Sequence, residues 1–194
     1  FNLVHEKSGT VLVEFAPHKF DATEAIKKMV LRFRLEHKLH LTILRSDNGG
    51  EFDNHTLRKW LTDNNIIPQF TSPDSSKQNG MAERPWRTLF GKAKAMLHRA
   101  GMSTKWWAEA VQYASSCHNF SPSSTRDNKS PHEITTGKRP PLHILAPFGC
   151  LALARTPDEQ VSKTQLQATS RECALLGLAQ QQKDGYKLLH IKTG

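Results

Sequence analysis

Three short runs rich in β-branched and aliphatic residues constrain this chain most: TVLVEF (10–15), LTILRS (41–46) and IIPQFT (66–71). Each is too short for a stable helix and long enough for a strand, and segments of helical period separate them. Between the first two, FDATEAIKKMVLRFRLEH (20–37) sets Ala22, Ile26, Met29, Val30 and Phe33 at helical spacing behind a candidate N-cap, Asp21. Between the second and third, NHTLRKWLTDN (54–64) puts Leu57, Trp60 and Leu61 on one side of a shorter helix. Pro68 marks the third strand as an edge or a break. FNLVHE, ahead of the first strand, reads as its hairpin partner across Lys7-Ser8-Gly9. The order strand, helix, strand, helix, strand, helix predicts an α/β layer architecture.

After the third strand, SPDSSKQNG (72–80) is an unbroken run of polar, turn-forming residues and predicts a loop. A helix from about Met81 to Ala100 follows. Its apolar face carries Leu89, Ala93, Met96, Leu97 and Ala100, with Glu83, Arg87, Lys94 and His98 opposite. TKWWAEAVQYASSCHNF (104–120) predicts another amphipathic helix, and 121–141 reads as loop-rich. From Phe148, the pieces CLALAR, CALLGLA and YKLLHI predict a small β unit. No apolar run approaches the roughly 18 residues of a membrane span, and no charged-then-apolar leader opens the sequence. Opening on Phe1 rather than Met, the chain reads as a piece of a longer polypeptide. The three cysteines, Cys117, Cys150 and Cys173, are odd in number and far apart, which argues against a disulfide framework or a zinc ribbon.

The net charge of +9 is unevenly placed. Residues 1–83 carry 11 Lys/Arg against 11 Asp/Glu, residues 84–147 carry 10 against 3, and residues 148–194 carry 6 against 4. The excess therefore begins just after Glu83. A basic block of this kind favours a polyanionic partner, and equally describes a solvated basic face.

Asp47 ends the second strand, in front of two glycines, and Glu83 stands near the start of the long helix. Positions 48 to 82, 35 of them, separate the two. A strand-end acid and a helix-start acid can converge across a sheet edge, where paired carboxylates suit Mg²⁺ or Mn²⁺. Two such ions activate an attacking hydroxyl and stabilise the leaving oxygen of a phosphodiester. An Asp–Glu pair by itself is weak grounds, because most such pairs are surface charges.

The surrounding words are more specific. RSDNGGEF, QNGMAERPWRTL, KWWAEAV and KSPHEITTGKRPPLHILAPFGC occur in that order. Together they closely resemble the integrase of copia-type retrotransposons, and the likeness covers essentially the whole chain. The resemblance implies an RNase H-like integrase core over 1–120, a connecting segment over 121–147, and the start of a small SH3-like β domain over 148–194. It implies DNA as partner (element ends and target), divalent-metal-dependent 3′-end processing and strand transfer, and a homo-oligomer. No membrane and no small-molecule substrate enter this chemistry. It further implies residence in the nucleus or a cytoplasmic particle. Asp47 matches the second acid of the family's Asp, Asp, Glu set, and Glu83 the third. Arg87, one turn after Glu83, falls where the family's helix presents a base to DNA. Lys77, Gln78 and Asn79 fall on the loop near the scissile phosphate, with Arg84 and Lys94 as further phosphate contacts beside Lys92 and Arg99.

Two departures from the family pattern matter. The first catalytic Asp belongs to a strand that precedes FNLVHEKSGTVLVEF in the family, and neither His5 nor Glu6 replaces it, so the core is expected to be truncated before its first strand. The chain alone is then expected not to catalyse strand transfer. The alternative is a non-enzymatic DNA-binding or assembly module derived from a decayed integrase. The second departure is Pro85, two residues after Glu83. It is a natural first-turn residue if the helix starts near Arg84, and an interior breaker costing roughly 3 kcal/mol if the helix starts near Asn79. Elsewhere, Trp106 and Trp107 are assigned to the core rather than to base stacking. Glu51 is read as a structural hydrogen-bonder, and His37 and His40, which lack a cysteine partner, are not assigned to a metal.

Overall fold

The computed structural model describes residues 1–16, 18, 21–46, 49–50, 54–70, 76–156, 170–179 and 185–192; of residues 76–79, 81 and 82 it describes the backbone alone. Strands β1 (Asn2–Val4) and β2 (Val11–Val13) pair antiparallel, with Asn2 opposite Val13 and Val4 opposite Val11. The turn between them needs Gly9, whose φ is +70° and whose added Cβ would stand 2.0 Å from Arg126 Nη1. Two buried hydroxyls are satisfied inside this turn: Ser8 Oγ lies 2.7 Å from His5 Nδ1 and 2.8 Å from Thr10 Oγ1.

β2 is buried on both faces. Val11 and Val13 enter one apolar cluster and Leu12 the other, as a period of two requires. Its outer edge is closed by side chains of a distant helix. The Asn119 amide accepts from the Val11 N–H and donates to the Val11 carbonyl, both at 2.8 Å, and the Ser115 hydroxyl donates to the same carbonyl at 2.6 Å.

Helix α1 (Ala22–His37) buries Ile26, Met29, Val30 and Phe33, the predicted stripe. Asp21 does stand at the N-cap position, but it caps nothing in the helix. Its carboxylate turns outward and accepts from the His18 N–H at 3.3 Å. Strands β3 (Ile43–Ser46) and β4 (Ile67–Phe70) are parallel, in register from Ile43 opposite Ile67 to Ser46 opposite Phe70. Helix α2 (His55–Asp63) makes the crossover, capped by Asn54, whose side chain accepts from the Leu57 N–H at 2.8 Å. Among the described residues β4 pairs with β3 alone, so Pro68 sits on an edge strand as expected.

Helix α3 runs from Ser76 to Ala100. The predicted loop over 72–80 is therefore corrected: Lys77, Gln78 and Asn79 have helical backbone, and Pro85 lies inside the helix rather than in its first turn. Residues 72–75 lie outside the described set. Helix α4 (Trp107–Phe120) packs against α3 and β2, and the short α5 (Pro131–Thr136) follows, its Ser130 cap accepting from the Glu133 N–H.

The C-terminal pieces form an antiparallel meander, β5 (Leu151–Arg155), β6 (Ser170–Leu178) and β7 (Tyr186–His190). It is not a separate cluster. Phe148, Leu175 and Leu176 share one core with Leu89, Leu97, Val111 and Val13. Tyr113 fastens the junction: its hydroxyl donates to the Ala146 carbonyl at 2.5 Å and accepts from the Ala146 N–H at 3.1 Å. Burial pushes this phenol up to about 12.

Candidate functional site

The candidate site is built on α3. Leu89, Ala93 and Leu97 recur every four residues and are buried, which fixes the rotation of the helix about its own axis. The same rotation turns Glu83, Arg84, Arg87, Lys94 and Arg99 to solvent, while Lys92 is half-buried. No ion pair among the described residues engages these cations. Exposed guanidinium and ammonium groups that no described carboxylate engages can take phosphate oxygens at little desolvation cost.

Pro85 lacks the N–H that would bond the Met81 carbonyl, so the helix crosses this point with one bond fewer. Packing compensates. Trp86, beside it, stands 6.5 Å from the Phe15 ring and 4.8 Å from Phe90, one turn on. Trp107 completes the group, stacked on Phe90 at 5.9 Å and edge-on to Phe15 at 4.8 Å. The assignment of both tryptophans to the core is thus corrected for one of them. Trp106 packs against the core, but Trp107 opens α4 at its rim and is 44 % exposed. The sequence carried a signal for this quartet in the i, i+4 pair Trp86 and Phe90.

Asp47 lies outside the described residues, as does Glu51. The strand that leads to Asp47 is described. Ser46 ends β3, and Arg45, paired with Gln69 across the parallel ladder, donates to its amide oxygen at 3.3 Å. Arg58 lies 4.5 Å over the ring of Phe70, opposite Ser46. The carboxyl end of a parallel pair is a common position for a binding site in α/β sheets. Glu83 and Ser46 line the same groove.

Among the described residues no group of three or more His, Cys, Asp or Glu is arranged to hold a metal ion. His37 lies tilted against Phe33 with ring centroids 4.9 Å apart, both its ring nitrogens buried and, among the described residues, without a hydrogen bond. Burial lowers its pKa, as it does those of His5, His118 and His132.

No family model matches the chain. It is 36 % identical over 145 residues to the retrovirus-related Pol polyprotein from transposon TNT 1-94 of Nicotiana tabacum, a match covering 75 % of this chain and 11 % of that protein. It is 31 % identical over 107 residues to the truncated transposon Ty1-A Gag-Pol polyprotein of Saccharomyces cerevisiae, covering 55 % of this chain and 9 % of that protein. The chain thus spans about a tenth of the length of the curated relatives it matches. Among solved structures it resembles the catalytic core domain of BIV integrase, with TM-score 0.54, 22 % identity, and coverage of 69 % of this chain and 82 % of that one. It also resembles the HTLV-2 integrase catalytic core in complex with magnesium, in a trimeric form, with TM-score 0.54, 18 % identity, and coverage of 68 % and 80 %.

Proposed function

For a chain homologous to retrotransposon Pol polyproteins and folded like an integrase catalytic core, we propose a DNA-binding portion of an integrase. The observation that carries this is the exposed row Arg84, Arg87 and Lys94, which no ion pair among the described residues engages, on the helix whose Glu83 lines one groove with Ser46 of β3. In this reading the row follows a DNA backbone, and the first turn of α3, with Lys77, Gln78 and Asn79, meets a phosphate.

Asp47 and Glu83 would hold Mg²⁺ or Mn²⁺. Their hard oxygens fit such an ion, which commonly takes one or two protein carboxylates and fills its shell with water and phosphate. When bound, the ion supplies charge stabilisation to the reacting phosphodiester. The parent protein would process 3′ ends and transfer strands, as a homo-oligomer, in the nucleus or a particle. The β5–β7 unit would be the opening of an SH3-like domain over 148–194. Residues 1–194 supply two carboxylates to this chemistry and are expected not to join DNA alone.

Two measurements test the reading. Binding to a duplex should weaken linearly in log salt, and the combined Arg84→Ala, Arg87→Ala and Lys94→Ala variant should lower that slope by roughly 3. A slope unchanged by the variant would remove α3 from the interface. Magnesium-dependent joining of labelled DNA ends by the purified chain would overturn the expectation of inactivity.

A further inference from the structure

Two large rings stand in water beside the basic row. Phe90 is 40 % exposed and Trp107 44 % exposed, and they stack on each other, 21° from parallel. Leaving that much aromatic surface in water forgoes the gain of burying it. Both rings are braced by rings that touch the core. Trp86 meets Phe90 and Phe15 meets Trp107 in T-shaped contacts, and Phe15 and Trp86 pack against the cluster that holds Leu89 and Val13. The braces set the orientation of the exposed pair before any partner arrives. On α3, Arg87 precedes Phe90 by three residues and Lys94 follows it by four, so both cations share its side of the helix. Both are exposed, and no ion pair among the described residues engages them. Lys105, two residues before Trp107, is exposed as well, its ammonium 5.1 Å over the Trp106 ring.

We propose that Phe90 and Trp107 form a stacking platform for an unpaired nucleobase, with Arg87 and Lys94 on the phosphates to either side of it. The inference rests on the DNA-binding reading and narrows it: at this point the ligand is single-stranded. Charge and shape together select the occupant. A methylated lysine would suit the rings, but it would meet Arg87 and Lys94 as like charges. A second copy presenting the same patch would set Arg87 and Lys94 against their own equivalents. A nucleotide brings a flat π face for the rings and an anion for the cations in one ligand. A base inside a duplex has both faces covered by its neighbours, so only a base out of the stack can lie on the platform. Phe90 stands seven residues after Glu83 on the same helix, about 10 Å along its axis. One strand can therefore engage both the platform and the carboxylate assigned to the metal.

The test uses the full 194-residue chain and three labelled probes: a blunt duplex, the same duplex with a three-thymidine tail, and the same duplex with a tail of three abasic sites. The two tails carry equal phosphates and differ only in their bases. In fluorescence anisotropy the thymidine tail should bind about fivefold or more tighter than the abasic tail. Phe90→Ala should abolish that ratio, and Phe90→Trp should keep it. A 5-iodouracil placed in the tail should crosslink to Phe90 or Trp107 on irradiation. Because the two tails are compared on the unaltered chain, the result does not depend on any variant folding. Equal affinity for the two tails, with the blunt duplex bound in a salt-dependent way, would overturn the platform and leave the DNA-binding reading standing. Absence of salt-dependent binding to all three probes would overturn both. Crosslinks confined to other residues would overturn the platform. So would self-association of the chain that Phe90→Ala abolishes, which would make a second copy the occupant.

Discussion

Replacing Pro85 by alanine has a sign that depends on where α3 begins. With the helix running from Ser76, residue 85 is interior, and its missing N–H leaves the Met81 carbonyl without its helical donor. Alanine restores that bond and removes the ring, a gain of about 3 kcal/mol by helix propensity. Against this stands the greater freedom alanine gives the unfolded chain, about 0.4–1 kcal/mol. The net is roughly +2 kcal/mol. For a chain of this size each kcal/mol moves Tm by about 2–4 °C, so Pro85→Ala should melt about 4–8 °C higher. Circular dichroism at 222 nm, followed with temperature, measures both the shift and the helical content. Were the helix to begin at Arg84, proline would be favourable in its first turn, and the variant would melt at the same temperature or lower. That outcome would refute the extension of α3 back to Ser76.

Other expectations follow from the packing. Tyr113→Phe removes the hydroxyl that serves both the N–H and the carbonyl of Ala146, and should cost about 1–3 kcal/mol, read from the midpoint of urea unfolding. Asn54→Ala loses the α2 cap and its amide bond to Thr23 at 3.0 Å, a loss of about 1 kcal/mol in the same assay. Acidification should destabilise the fold through His5, His37, His118 and His132, whose pKa values desolvation lowers. The unfolded chain binds more protons, so their contribution is fully present above about pH 6.5 and is lost as pH falls through the lowered values. A Tm series from pH 8 to 5 that stays flat below 6.5 would contradict this.

Much of the architecture was legible because burial and period coincide. Leu89, Ala93 and Leu97 announced the buried stripe of α3, and β-branched runs marked β2 and β3. The start of α3 was not legible. Residues 76–80 are polar turn formers and Pro85 opposes a helix, so local preference pointed to a loop where the structure continues the helix. Asp21 had the right residue type for a cap, yet its carboxylate found a partner outside the helix. Trp107 lies at helical spacing with Ala110, but spacing alone does not tell a rim from a core. At the candidate site the basic row was legible by number, since only the phase of one helix was needed. The groove that Glu83 and Ser46 line was not, because it depends on how separate elements face each other.

The closure of β2 by Asn119 ties the N-terminal hairpin to a residue 108 positions further along. Until that part of the chain has been synthesised and α4 has docked, the outer side of the hairpin is an open template for strand addition. A contact of that sequence separation carries a larger loop-closure cost than the local pairing of β1 with β2.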